Sequence, residues 1–188
     1  YTKVELDLHL SLTPPSSLEF KVEMTAKEAL KLARVAATDK ERYRLYDQAA
    51  SGGHPEGLYQ KGLALRDGKG VEQDGQEAVF CFQEAAKELH FKAMAALAEC
   101  LRTGKGVDRN SQEAIQWYEA SGAYDYAPAL NNLGSIYSKG QGVEKSDHKA
   151  FGYYLKAAEL GNATAMYNLG QRFQKGKGTP KDLEKART

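Results

Sequence analysis

The sequence predicts an all-α solenoid of about four stacked helical hairpins. Three observations carry this. A glycine motif returns every 36 residues, a helix-capping residue follows each copy at a set distance, and apolar residues recur at three and four rather than two. The motif reads "GKGV" at 68–71, "GKGV" at 104–107, "GQGV" at 140–143 and "GKGT" at 176–179. No insertion or deletion interrupts the four copies.

Each loop is predicted to feed a capped helix, here helix B. Four residues after each second glycine stand Asp74, Asn110, Ser146 and Asp182, side chains that accept hydrogen bonds from the free N–H groups of a first turn. Glu77 and Glu113, three residues further, suggest reciprocal capping boxes, whereas Lys149 and Lys185 hold those places in the later copies. Ala78, Ala114, Ala150 and Ala186 come next, small enough for close helix contact. An apolar or aromatic pair follows: Cys81 with Phe82, Trp117 with Tyr118, Tyr153 with Tyr154.

Helix A precedes each loop. Leu97, Leu133 and Leu169 align in the 36-residue step, with Lys61 the exception. Gly62, Ala98, Gly134 and Gly170 follow, then Leu65, Leu101, Tyr137 and Phe173. That order makes one helical face with a small residue in its middle, where a neighbouring helix can approach. The first glycine of each loop (Gly68, Gly104, Gly140, Gly176) falls where a helix end favours a left-handed residue. A hairpin of this kind does not bury its apolar face alone, so the hairpins must stack.

The segment "ALNNLGSIYSKGQGVEKSDHKAFGYYLKAAELGNATAMYNLG" resembles the Sel1-like repeat, a relative of the tetratricopeptide repeat. The resemblance covers residues 53–188, with the last repeat truncated. It implies a right-handed α/α superhelix and adaptor roles in signalling, protein quality control or complex assembly. The second copy departs from the pattern after its helix B, at "EASGAYDY".

The N-terminal part is different. Residues 25–52 read as an atypical hairpin that caps the solenoid. Thr25 and Glu28 form a capping box, Asp39 caps a second helix, and Tyr46, Ala49 and Ala50 lie one repeat before Phe82, Ala85 and Ala86. Residues 1–24 read as an extended segment, with Val4, Leu6, Leu8, Leu10 and Leu12 alternating as in a half-buried strand. These leucines must bury against something, whether a neighbouring part of the chain or another protein by strand addition. Their LxLxL spacing also resembles the short repression motif of plant transcription regulators. The chain begins without Met and stops inside a helical pattern, which reads as a fragment of a longer protein.

Composition narrows the function. Net charge is +1, from 26 basic and 25 acidic residues, which argues against a dedicated nucleic-acid binder. No apolar run is long enough to span a membrane. Cys81 and Cys100 form no CxxC pair, and the four histidines show no ligand spacing, so no metal or other cofactor is expected. The cysteines read as small buried hydrophobes, and a cytoplasmic, reducing setting is expected. The loops "GKGV" are not phosphate cradles, because a P-loop needs a preceding strand and a following Lys-Ser or Lys-Thr. No nucleophile motif is present, so the chain is read as a non-enzyme.

Binding remains. The concave face of such a superhelix is lined mainly by helix A, and the residues outside its apolar face differ between copies. They are Tyr59, Gln60, Leu63 and Arg66; Ala95, Glu99 and Arg102; Asn131, Asn132, Ser135 and Ser138; and Tyr167, Asn168 and Gln171. Asn132 and Asn168 recur one repeat apart, and an asparagine amide pairs with both donor and acceptor of a peptide backbone. Tyr59 and Tyr167 offer aromatic contact area at low entropic cost. The expected function is a scaffold or adaptor that binds a partner protein or peptide on this face. The alternative is a regulatory or docking segment of a larger enzyme or signalling protein.

Overall fold

The computed structural model describes residues 24–186. Among the described residues there are nine α-helices and no strand: α1 (Ala26–Ala33), α2 (Asp39–Ser51), α3 (Pro55–Asp67), α4 (Gly75–Lys87), α5 (Phe91–Thr103), α6 (Ser111–Ala123), α7 (Ala127–Lys139), α8 (Asp147–Glu159) and α9 (Ala163–Lys175). Each of α2 to α9 has 13 residues. The A helices are α3, α5, α7 and α9, and the B helices are α4, α6 and α8. The strongest contacts join helices that are consecutive in the chain, and the hairpins α3–α4, α5–α6 and α7–α8 pack most closely. That is the architecture of a solenoid, in which each unit rests on its neighbours. The alternating-leucine segment, residues 4–12, lies outside the described residues.

Local chemistry sets the helix boundaries. Every A helix ends in a left-handed glycine, with φ of 66° at Gly68, 76° at Gly104, 70° at Gly140 and 65° at Gly176. Asp74, Asn110 and Ser146 then accept first-turn N–H groups of α4, α6 and α8. Three details differ from the sequence expectation. Thr38, not Asp39, caps α2; its hydroxyl accepts from the Glu41 amide, and Asp39 is the first helical residue. The capping box of Thr25 and Glu28 forms, but those of α4 and α6 are one-sided. Glu77 turns to Lys61 at 2.9 Å, and Glu113 accepts from the Asn110 and Trp117 side chains. Lys61, the exception on the A-helix apolar face, is thereby explained. Its ammonium sits between Glu77 and Asp47, the latter at 2.8 Å. A half-buried cation is tolerated where two carboxylates satisfy it.

The core is built from the positions that recur at 36. Phe82 and Tyr118 are fully buried and Tyr154 nearly so. One cluster gathers Leu65, Phe82, Leu97 and Leu101, a second Leu130, Leu133, Ile136 and Tyr154, and Trp117 packs against both. Gly62 and Gly134 make room for the aromatic rings. A Cβ at Gly62 would lie 2.6 Å from the Phe82 ring, and one at Gly134 would lie 2.7 Å from the Tyr154 ring.

Helix α2 and the three B helices are each followed by a positive φ, at four positions one repeat apart: Gly53, Leu89, Asp125 and Gly161. Leu89 at φ 58° and Asp125 at φ 55° carry side chains in a conformation that disfavours them. This accounts for the departure at "EASGAYDY": the turn is kept although its glycine is not. Leu89 is also 62% exposed, so its side chain contributes little burial. Leu89→Gly is therefore expected to stabilise the fold by about 0.5–1 kcal/mol, as read from urea denaturation.

Candidate functional site

The candidate site is the set of side chains on α3, α5, α7 and α9 that the sequence places outside the apolar stripe of each A helix. Thirteen of the fourteen residues placed on it from the sequence are partly buried, and Tyr167 is 68% exposed. Partial burial suits side chains that flank one another across a row of helices and still present one edge outward.

The structure spends some of these groups on the protein itself. Tyr59 and Leu63 pack against the core that contains Phe82, and burial pushes the Tyr59 hydroxyl up to about 12. Tyr59 also lies 4.9 Å, ring to ring, from His90, the first of an aromatic run that continues through Phe91 to Tyr126. Gln60 donates to Glu56 at 2.7 Å. Arg66 makes two hydrogen bonds to Asp67, at 2.7 and 3.0 Å. Arg102 does the same to Glu99, at 2.9 and 2.6 Å, and the buried Tyr118 hydroxyl donates to that carboxylate at 2.6 Å. Burial raises the Glu99 carboxyl, but Arg102 and Tyr118 outweigh it and hold the group below its ordinary value. Asn168 donates to Asn131 at 3.1 Å, so the amides that meet are 37 residues apart in the chain. Among the described residues the side chains of Asn132 and Gln171 make no hydrogen bond, which leaves their full amide capacity for a partner.

Besides a cavity of about 460 Å³ formed by Met166, Tyr167, Gly170, Gln171, Gln174, Leu183 and Ala186, two smaller cavities are lined by residues of this face. One, of about 210 Å³, lies between α2 and α3 and is lined by Tyr43, Tyr46, Gln60, Leu63 and Lys69. The other, of about 120 Å³, lies between α7 and α9 and is lined by Ser138, Tyr154, Asn168, Gln171, Arg172, Lys175 and Lys177. Arg172 and Lys175 were not singled out from the sequence, although a signal existed. The 36-residue step aligns Arg172 with Ala64, Cys100 and Ile136, all buried and uncharged.

Both cysteines are free and buried. Burial pushes the Cys81 thiol up to about 11 and also raises that of Cys100, which holds both away from the reactive thiolate. Among the described residues no group of three or more His, Cys, Asp or Glu side chains is placed to hold a metal ion. No helix among them is long and apolar enough to cross a membrane.

Stacked 36-residue hairpins, each closed by a Gly-x-Gly loop, define a helical-repeat protein. The Sel1 repeat model matches residues 55–88, 91–123, 127–162 and 163–188, and the chain belongs to that family. A Sel1 repeat protein from Oxalobacter formigenes superposes with a TM-score of 0.83 at 28% identity, over 90% of this chain and 72% of that one. A protective antigen of uropathogenic Escherichia coli strains, which displays the same fold, gives a TM-score of 0.77 at 26% identity, over 86% of this chain and 35% of that one. Chitin synthase regulatory factor 2 of Schizosaccharomyces pombe is 38% identical over 65 residues. That match covers 35% of this chain and only 13% of the yeast protein's length. Sel1 repeat proteins are generally protein-interaction scaffolds, and the fold is typically non-catalytic.

Proposed function

We propose that this chain is a scaffold that holds an extended segment of a partner protein across the concave face of its A helices. The observation that carries the reading is the unspent polar capacity there. The side chains of Asn132 and Gln171 have no hydrogen bond among the described residues, and Tyr167, 68% exposed, lines a cavity with Gln171. One exposed aromatic ring and free amides suit a peptide, whose backbone needs donors and acceptors while its side chains need apolar contact. Asn168 is a weaker single contact than its sequence position suggests, because one of its N–H groups is committed to Asn131.

A second reading has one observation in its favour. The yeast relative is named as a regulatory factor of an enzyme, and it is far longer than the matched segment. On that reading the repeats are the docking arm of a larger regulatory protein. The two agree on the binding face and differ in whether the partner is a separate chain.

The test is affinity capture with the wild-type chain and with the double variant Asn132→Ala, Tyr167→Ala. Neither side chain makes a hydrogen bond among the described residues, so helicity and melting should be retained. Capture of the principal partner is expected to fall at least about tenfold, since loss of one well-placed aromatic contact alone is worth over 1 kcal/mol. Unchanged capture would remove the A-helix face from the account.

A further inference from the structure

We infer that the cavity between α7 and α9 is a carboxylate-binding subsite for the peptide partner; this rests on the scaffold reading above. The argument starts from a misplaced charge. In three repeats the position of Arg172 is a buried uncharged residue: Ala64, Cys100 and Ile136. Arg172 is just as buried, at 6% exposure. Its guanidinium is held by Asp147 at 2.9 Å, by the Asp147 carbonyl at 3.3 Å and by the Ser138 hydroxyl, and it lies over the Tyr154 ring. A buried ion pair in place of an apolar residue brings little or no stability. The fold therefore gains nothing evident from the arginine, and the repeat shows that it runs without one.

The surroundings show what the arginine is suited to do. In the first two repeats each cation on this face brings its own anion: Arg66 has Asp67, and Arg102 has Glu99. In the fourth, the step of 36 puts Lys175 where Asp67 stands in the first and Gln171 where Glu99 stands in the second. Among the described residues Asp147 is the one carboxylate that answers Arg172, and it also feels the charges of Lys145 and Lys177. Lys175 and Lys177 form no close ion pair among the described residues, and both line the cavity. The result is a small polar pocket with surplus positive charge, rimmed by the amides of Asn168 and Gln171. Ser138 keeps it open, because the same position is Arg66 or Arg102 in the earlier repeats. At about 120 Å³ it has room for an anionic group and a few waters, at about 30 Å³ each. Two lysines, a fixed guanidinium and neutral amide donors match a carboxylate reached from the peptide path.

Three six-residue peptides of alanine and one variable residue test this by ¹⁵N NMR titration of the full chain. The first carries glutamate and a C-terminal amide, the second glutamine and a free C-terminus, the third glutamine and a C-terminal amide. One or both of the first two should bind about tenfold more tightly than the third, with shifts at the side-chain amides of Asn168 and Gln171. Which of them does so tells whether the carboxylate is a side chain or a chain end. Lys175→Glu with Lys177→Glu should abolish the preference with unchanged helicity. Arg172→Ile, which installs the residue of the third repeat, should do the same if it folds. Equal binding of all three peptides, no binding of any, or a preference that survives the double lysine change would overturn the inference. If only these peptides fail while capture still depends on Asn132 and Tyr167, the scaffold reading stands without the subsite. If capture ignores Asn132 and Tyr167, the reading itself falls.

Discussion

Gly106→Ala is expected to lower the free energy of unfolding by about 3–4 kcal/mol, whereas Gly53→Ala should cost only about 1 kcal/mol. Both glycines have positive φ, 76° and 71°, so both substitutions force an alanine into the left-handed region. Their surroundings separate them. A Cβ at Gly53 meets nothing within 4 Å. At Gly106 it would lie 2.0 Å from the carbonyl oxygen of Gly75, the first residue of the preceding B helix. Backbone gives way far less readily than a side-chain tip, so the loop and α4 must separate. The same contact recurs along the solenoid: Gly70 would strike the Asp39 carbonyl at 2.1 Å and Gly178 the Asp147 carbonyl at 2.0 Å. The second glycine of each motif is thus a stacking contact between repeats as well as a turn. For a chain of this size the Gly106 change should lower the midpoint by roughly 10 °C in a thermal melt. Equal costs at Gly53 and Gly106 would mean that the repeats do not stack through these loops.

Phe82→Ala is the second large effect, expected at about 4 kcal/mol. Phe82 is fully buried, and its ring fills the space that Gly62 leaves on α3. The sharper form of the prediction is a reversal of sign. In the wild type, Gly62→Ala should destabilise by about 1–2 kcal/mol, because the new methyl would sit 2.6 Å from the ring. Once Phe82 is alanine, the same change should stabilise by about 1 kcal/mol, through better helix propensity and partial filling of the void. Urea denaturation of the four proteins closes the cycle. Additive effects would show that Gly62 and Phe82 do not meet.

These two results also mark where the sequence was readable. Gly68 as a helix end and Asp74 as a cap depend on neighbours within a turn, and spacing alone revealed them. The small residue of helix A was legible because its partner ring recurs in register. Gly106 against Gly75 was not, since the contact joins different repeats and only the turn role is local. Lys61 looked anomalous because both of its carboxylates come from other helices. Thr38 was overlooked beside Asp39, a residue type that caps equally well. On the candidate face, the sequence drew attention to Asn132 and Asn168 for recurring, but Asn168 bonds Asn131. Arg172 is illegible for the opposite reason: it sits on the buried stripe, where spacing implies an apolar residue, and its partner Asp147 lies on another helix. Leu89 and Asp125 align with Gly53 and Gly161, so their strained turns were visible in the 36-residue step.

Hydrogen–deuterium exchange of the chain, alone and bound to the principal protein recovered by capture, tests the central claim most directly. Binding along the concave face predicts slowed exchange in α3, α5, α7 and α9, strongest around Asn132 and Gln171. Protection confined to α4, α6 and α8, with the A helices unchanged, would contradict it.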